Sequence, residues 1–195
     1  MQFITVVVAA LAAVVPFVQA GPQAHLNNMC DFDVYLWSVS ADGSSDMHTL
    51  KANGGTYSED YQVPSQGGVS LKLSNKTKLG AAAGVTQFEY TLTDHIWYDI
   101  SNVDCKTTDC PFQPYGLYME SGKGCPTATC HAGDLICKEA YTLYNDDWAT
   151  KACTTDQDIT LHLCSETAPE KREVFGVPSK RWAHGKPHGH PHWRH

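Results

Sequence analysis

Eight cysteines constrain this 195-residue chain more than any other feature. All lie between Cys30 and Cys164, downstream of an apolar N-terminal stretch. An even number in a chain that leaves the cell reads as four disulfides, formed in an oxidising compartment. The competing reading is zinc, because Cys105-x4-Cys110 and Cys125-x4-Cys130 loosely resemble ligand pairs. Eight cysteines permit roughly a hundred pairings, and sequence physics alone does not choose among them.

Residues 1–20, MQFITVVVAALAAVVPFVQA, read as a secretory signal peptide. The apolar run from Ile4 to Val18 is too short for the ~20 residues of a spanning helix, and Val18 and Ala20 are the small residues that precede a cut at Gly21. The expected mature protein is soluble, extracellular and monomeric, with no transmembrane segment. Asn75-Lys76-Thr77 is a glycosylation sequon on that route, so Asn75 is expected at the surface.

Charge divides the chain beyond the signal peptide into two parts. Residues 21–169 hold 8 Lys, no Arg and 19 Asp+Glu, a net of −11. Residues 170–195 hold 3 Lys, 3 Arg and 2 Glu, a net of +4, with five of the ten histidines in the last twelve positions. An acidic body does not suit nucleic acid. Within it, short segments alternate apolar and polar: FDVYLWSV (32–39), YSEDYQV (57–63), VSLKLS (69–74), QFEYTLT (87–93), IWYDISNV (96–103) and DITLHL (158–163). Turn signals such as ADGSS, ANGG and VPSQGG separate them, which predicts an all-β sandwich over 21–169 and a disordered basic, His-rich tail over 170–195.

The segments IWYDISNVDCKTTDC, CKEAYTLYNDD and DITLHLC, together with the opening NNMCDFDVYLWSV, resemble the thaumatin-like proteins. The similarity is nearer to their short fungal branch, the antigenic or yeast-phase-specific thaumatin-like proteins, and covers roughly residues 25–166. The resemblance implies a small form lacking most of the family's cysteine-rich second lobe. It also implies the pairings Cys30–Cys164, Cys105–Cys153, Cys110–Cys137 and Cys125–Cys130.

Larger members of that family have an acidic cleft, and some bind or slowly cleave β-1,3-glucan there. The resemblance carries Glu89, Asp99 and Asp146 over as the cleft acids and the candidate catalytic residues. A further family aspartate is Ile96 here, with Asp94 or His95 its nearest substitutes, and the family's cleft arginine has no counterpart. Strand alternation independently puts Glu89 opposite in facing to Phe88, Tyr90 and Leu92, and puts Trp97 with Asp99 on one face of the next segment. A carboxylate beside an indole suits a sugar, accepting hydroxyl hydrogen bonds while the ring covers an apolar sugar face. The expected function is therefore a secreted, cell-wall or surface-associated protein that binds β-1,3-glucan or another cell-surface carbohydrate through Glu89, Trp97 and Asp99 without turnover. The alternatives are a weak β-1,3-glucanase, an adhesin or host-directed effector, and a metal-binding protein.

The tail has chemistry of its own. Lys171-Arg172 and Lys180-Arg181 are dibasic pairs suited to proteolytic processing after Arg172 and Arg181. His184, His188, His190, His192 and His195 are candidate ligands for Cu, Ni or Zn, although the body requires no cofactor.

Overall fold

The computed structural model describes residues 21–80, 84–105, 110–144 and 147–169. The signal peptide, the tail histidines, Arg172, Arg181 and Asp146 lie outside the described residues. Among those described, twelve strands form in chain order: β1 Gln23–Asn28, β2 Val34–Ser40, β3 Gly43–Ser44, β4 His48–Leu50, β5 Gly55–Asp60 and β6 Val69–Ser74. The remaining six are β7 Thr86–Leu92, β8 Ile96–Ser101, β9 Leu117–Ser121, β10 Ala128–Cys130, β11 Lys151–Cys153 and β12 Ile159–Leu163. A 3-10 turn, Asp147–Ala149, precedes β11. Among the described residues no helix is long and apolar enough to cross a membrane.

The strands make two sheets. A five-stranded sheet runs β10-β9-β12-β1-β5, and a seven-stranded sheet runs β11-β8-β7-β6-β2-β3, with β4 also on β2. Neighbours are antiparallel except β1 and β12, which are parallel. The period-2 pattern read in the sequence explains the sandwich, because each strand turns alternate residues inward. Leu26, Leu36, Leu71, Leu73, Phe88, Ile96, Tyr98, Ile100, Met119, Leu161 and Leu163 are all buried in one cluster. Asn28 is buried with them, its amide donating to the carbonyls of Phe32 (2.9 Å) and Leu50 (3.0 Å) while its Oδ1 accepts from Cys30 N (3.0 Å). Those bonds satisfy a polar group in the core and hold Cys30 at the end of β1.

Four disulfides use all eight cysteines. Cys30 joins Cys164 across a separation of 134 residues and locks the parallel β1–β12 pair at its end. The other three pairings differ from those the resemblance implies. Cys105 joins Cys110, Cys125 joins Cys153 and Cys130 joins Cys137, so Cys105–Cys153, Cys110–Cys137 and Cys125–Cys130 do not form. The reason is the length of β8. Cys153 pairs with Ile96 at the start of that strand, whereas Cys105 follows its far end at Ser101. A strand rises ~3.3 Å per residue, so β8 spans roughly 17 Å, and Cys105 packs beyond its far end, its Sγ 3.2 Å from the Val85 carbonyl oxygen, out of disulfide reach of Cys153. With most of the second lobe missing, Cys130 and Cys137 are only seven residues apart and close on each other at a Cα–Cα distance of 5.2 Å.

Two outcomes check this arrangement. Tryptic digestion without reduction should release the Cys105 and Cys110 peptides joined only to each other, whereas a Cys105–Cys153 bridge would tie the Cys105 peptide alone to the peptide that carries Cys153 and Cys164. Replacing Cys30 and Cys164 together by Ala should lower folding stability by about 4–5 kcal/mol in the chain-entropy model, read by thermal or denaturant melting.

Candidate functional site

The β7–β8 hairpin builds the site. Its register pairs Phe88 with Ile100 and Tyr90 with Tyr98 on the core face, and therefore Glu89 with Asp99 on the outer face. The row continues across the sheet, with Ser70 of β6 opposite Glu89 and Val39 of β2 opposite Ser70. Trp97 lies two residues before Asp99 on the same face and is 42% exposed. Together these residues line an open cleft of about 470 Å³, floored by Gly68 and Ser70 and walled on one side by Thr150. Gly68 has no room for a side chain, since a Cβ there would strike Thr91 Oγ1 and the Tyr90 carbonyl oxygen. The Trp97 indole is oriented by donating from Nε1 to Thr93 Oγ1 at 3.0 Å.

The structure thus brings Glu89, Trp97 and Asp99 into one cleft. Ile96, at the position of the absent family aspartate, is buried in the core. Asp94 and His95 do not replace it: they sit in the β7–β8 turn, exposed and 3.3 Å from each other. Two cations missed in the sequence stand near the acids. Lys72, the outward residue of β6, donates from Nζ to Gln87 Oε1 (2.6 Å) and Asp104 Oδ2 (3.3 Å), and its charge acts on Glu89. Lys151 of β11 pairs with Glu139 at 2.8 Å, and its charge acts on Asp99. The signal for Lys72 was present in the alternation of VSLKLS, but only the strand order puts that face beside Glu89.

Electrostatics sets this acid pair apart from others in the molecule. Burial, and then the negative charge of Glu89, push the Asp99 carboxyl far above the usual carboxylate range, to about 8. Burial raises Glu89 as well, opposed by Lys72. Two adjacent carboxyls in a poorly solvated place resist losing both protons, so the pair keeps one between them near neutrality. Asp99 Oδ1 is also buried with no hydrogen-bond partner, a group that seeks a donor. Glu59 makes the contrast. It receives hydrogen bonds from Tyr57 (2.7 Å), Tyr90 (2.5 Å) and Gln62 (3.1 Å), and its acceptors are occupied by the fold itself.

Among the described residues no group of three or more His, Cys, Asp or Glu could hold a metal ion. His162 is buried between Glu120 (3.1 Å) and Asn27 (3.2 Å), and His131 faces Glu166 at 3.2 Å. Asn75 is exposed after β6, consistent with an accessible sequon.

Comparisons with known proteins agree on one family. The model of the Bys1 family, described as Blastomyces yeast-phase-specific protein, matches residues 11–165. An antigenic thaumatin-like protein of Arthroderma benhamiae is 35% identical over 97% of this chain and 95% of its own length. The secreted thaumatin-like protein calA of Emericella nidulans is 36% identical over 79% of this chain and 90% of its own. Among solved structures, the protein elicitor MoHrip2 from Magnaporthe oryzae superposes with a TM-score of 0.60 at 24% identity, over 74% of this chain and 99% of that one.

Replacing Asp99 by Asn tests the raised acid. A group whose folded pKa lies above its unfolded value binds more protons in the folded state, so stability falls as pH rises from about 4 to about 8. Asp99→Asn removes that loss. Its melting temperature should exceed the parent's by on the order of 5 °C at pH 8.5 and by much less at pH 4.

Proposed function

The chain belongs to the Bys1 family of fungal, secreted thaumatin-like proteins, and from that premise we propose that this extracellular β-sandwich is a cell-wall or surface-associated binding protein for β-1,3-glucan or a related carbohydrate. The observation that carries this reading is the cross-strand Glu89–Asp99 carboxyl pair beside the exposed Trp97, in one open cleft. A pair sharing a proton offers a sugar both a donor and acceptors. The indole supplies an apolar plane for the other face of the ring. Ser40, Ser70 and Thr150 add polar groups to the lining of the cleft.

The same geometry favours binding over turnover. Glycoside hydrolysis needs its two carboxyls roughly 5–10 Å apart, flanking the scissile bond. Here Glu89 and Asp99 are cross-strand neighbours close enough to hydrogen-bond to each other, so a sugar sits above the pair and not between its members.

Sedimentation with insoluble β-1,3-glucan tests the proposal. The parent should sediment, Trp97→Ala should weaken binding about 10-fold, and Glu89→Gln combined with Asp99→Asn should weaken it at least as much. Laminarin should yield no new reducing ends. Unchanged sedimentation in both variants would exclude the cleft as the sugar site, and reducing ends abolished by either acid substitution would make the protein an enzyme. Attachment to host cells without glucan affinity would favour an adhesin or effector.

A further inference from the structure

Trp97 has a counterpart on the opposite side of the cleft. The cleft lining reaches β2 at Val39, and Trp37 stands two residues before Val39 on the same strand. Its neighbours Leu36 and Ser38 are buried, so alternation turns Trp37 to the outer face of the sheet, where it is half-buried. Trp97 bears the same relation to Asp99 on β8. The face therefore carries an indole at each side, with the two acids between.

The ladder fixes how far apart the two rings stand. Trp37 pairs with Lys72, Lys72 with Gln87 and Gln87 with Ser101, four residues beyond Trp97 on β8. Four residues of strand cover about 13 Å, and the three steps from β8 through β7 and β6 to β2 cover about 14 Å. The backbone positions of the two indoles are thus about 20 Å apart along a diagonal. The midpoint of that line falls between Glu89 and Ser70, which are themselves cross-strand partners. At the level of Trp37 the β7 and β8 side of the sheet is covered, because Gln87 and Ser101 are buried. Lys72, held by Gln87 and Asp104, forms the boundary. A path from Trp97 past Glu89 therefore leaves the cleft over β6 and β2, where Trp37 stands.

We propose that Trp37 is a second aromatic station, and that the outer face of the seven-stranded sheet holds an extended, neutral β-linked glucan chain along the diagonal from Trp97 past Glu89 and Ser70 to Trp37. This rests on the carbohydrate reading of the cleft and deepens it, naming the ligand as a chain several sugars long. A single sugar does not reach both rings across about 20 Å of sheet. Each indole covers one apolar sugar face, while Glu89 and Ser70 take hydroxyl hydrogen bonds between them. The two acids and the −11 net charge of residues 21–169 disfavour chains of uronic acids or sulfated sugars, so the occupant is a neutral one. Two rings on one chain act as a linked pair, and a chain that engages both binds more tightly than a fragment that engages one.

Titration with laminaribiose and laminarihexaose, the β-1,3-linked disaccharide and hexasaccharide, tests this, read by affinity and by NMR of the tryptophan indole N–H groups. The native protein should bind the hexasaccharide at least about 10-fold more tightly than the disaccharide. The hexasaccharide should shift the indole signals of both Trp37 and Trp97, and the disaccharide that of Trp97 alone. Trp37→Ala should remove most of the length preference by weakening the hexasaccharide, and Trp37→Tyr, which keeps a ring, should retain most of it. A hexasaccharide that shifts Trp97 and leaves Trp37 unmoved would overturn the second station while the cleft reading stands. So would an equal loss of affinity for both sugars in Trp37→Ala. Binding of neither sugar by the native protein would instead remove the cleft reading, and this inference with it.

Discussion

The register of one hairpin underlies both the core and the candidate site. Pairing Phe88 with Ile100 and Tyr90 with Tyr98 buries four large side chains, and the same pairing forces Glu89 against Asp99 on the opposite face. A one-residue slip of β8 against β7 would turn Asp99 into the core and expose Tyr98 and Ile100, so core packing holds the register firmly. The two carboxyls are therefore held together by the hydrophobic effect, despite their mutual repulsion. Burying four side chains at ~1.5–3 kcal/mol each outweighs the cost of confining two adjacent acids, one oxygen of which has no partner. The unfavourable pair persists as a site because the fold has no cheaper way to relieve it.

Loss of the second lobe shapes everything around that hairpin. In this chain, the described residues between 131 and 150 form bends, a short 3-10 turn and a bridge from Ser101 to Tyr141. This reduced wall still reaches the sheet: Tyr141 N donates to the Ile100 carbonyl at 2.8 Å, and the Tyr141 hydroxyl meets Thr150 Oγ1 at 2.5 Å. It brings Thr150 to the cleft. The same shortening strands Leu135 and Ile136 in solvent and redirects the disulfides into local closures. Cys30–Cys164 fastens the ends of the parallel β1–β12 pair, and Cys125–Cys153 ties the β9–β10 connection of the five-stranded sheet to β11 of the seven-stranded one.

Much of this was legible in the amino acids, and the failures have physical causes. β6 begins and ends where VSLKLS does, and β7 and β8 lie within a residue or two of their alternating segments, since a half-buried strand must alternate. Short edge elements such as β3, β10 and β11 carry too few residues to show a period and exist through their neighbours' hydrogen bonds. Glu89 and Asp99 were named by the resemblance, and alternation gave their facing and that of Trp97. Lys72 and Lys151 were not, because which strand lies beside which is a long-range property. The pairings Cys105–Cys153, Cys110–Cys137 and Cys125–Cys130 failed for a related reason. Spacing along the chain resembled the larger family members, while the distance across β8 and the absent lobe decided which sulfurs could meet.

Everything proposed for the cleft depends on Glu89 and Asp99 sharing a proton in a poorly solvated place. Carbon-13 NMR titration of the side-chain carboxyls in the native protein reads this out without any substitution. Asp99 should stay protonated through neutral pH and titrate near 8, with Glu89 also displaced upward and its signal responding to the Asp99 step. If both carboxyls instead titrate independently near 4, like ordinary exposed acids, the pair is simply a solvated stretch of sheet surface and the proposed sugar site loses its chemical basis.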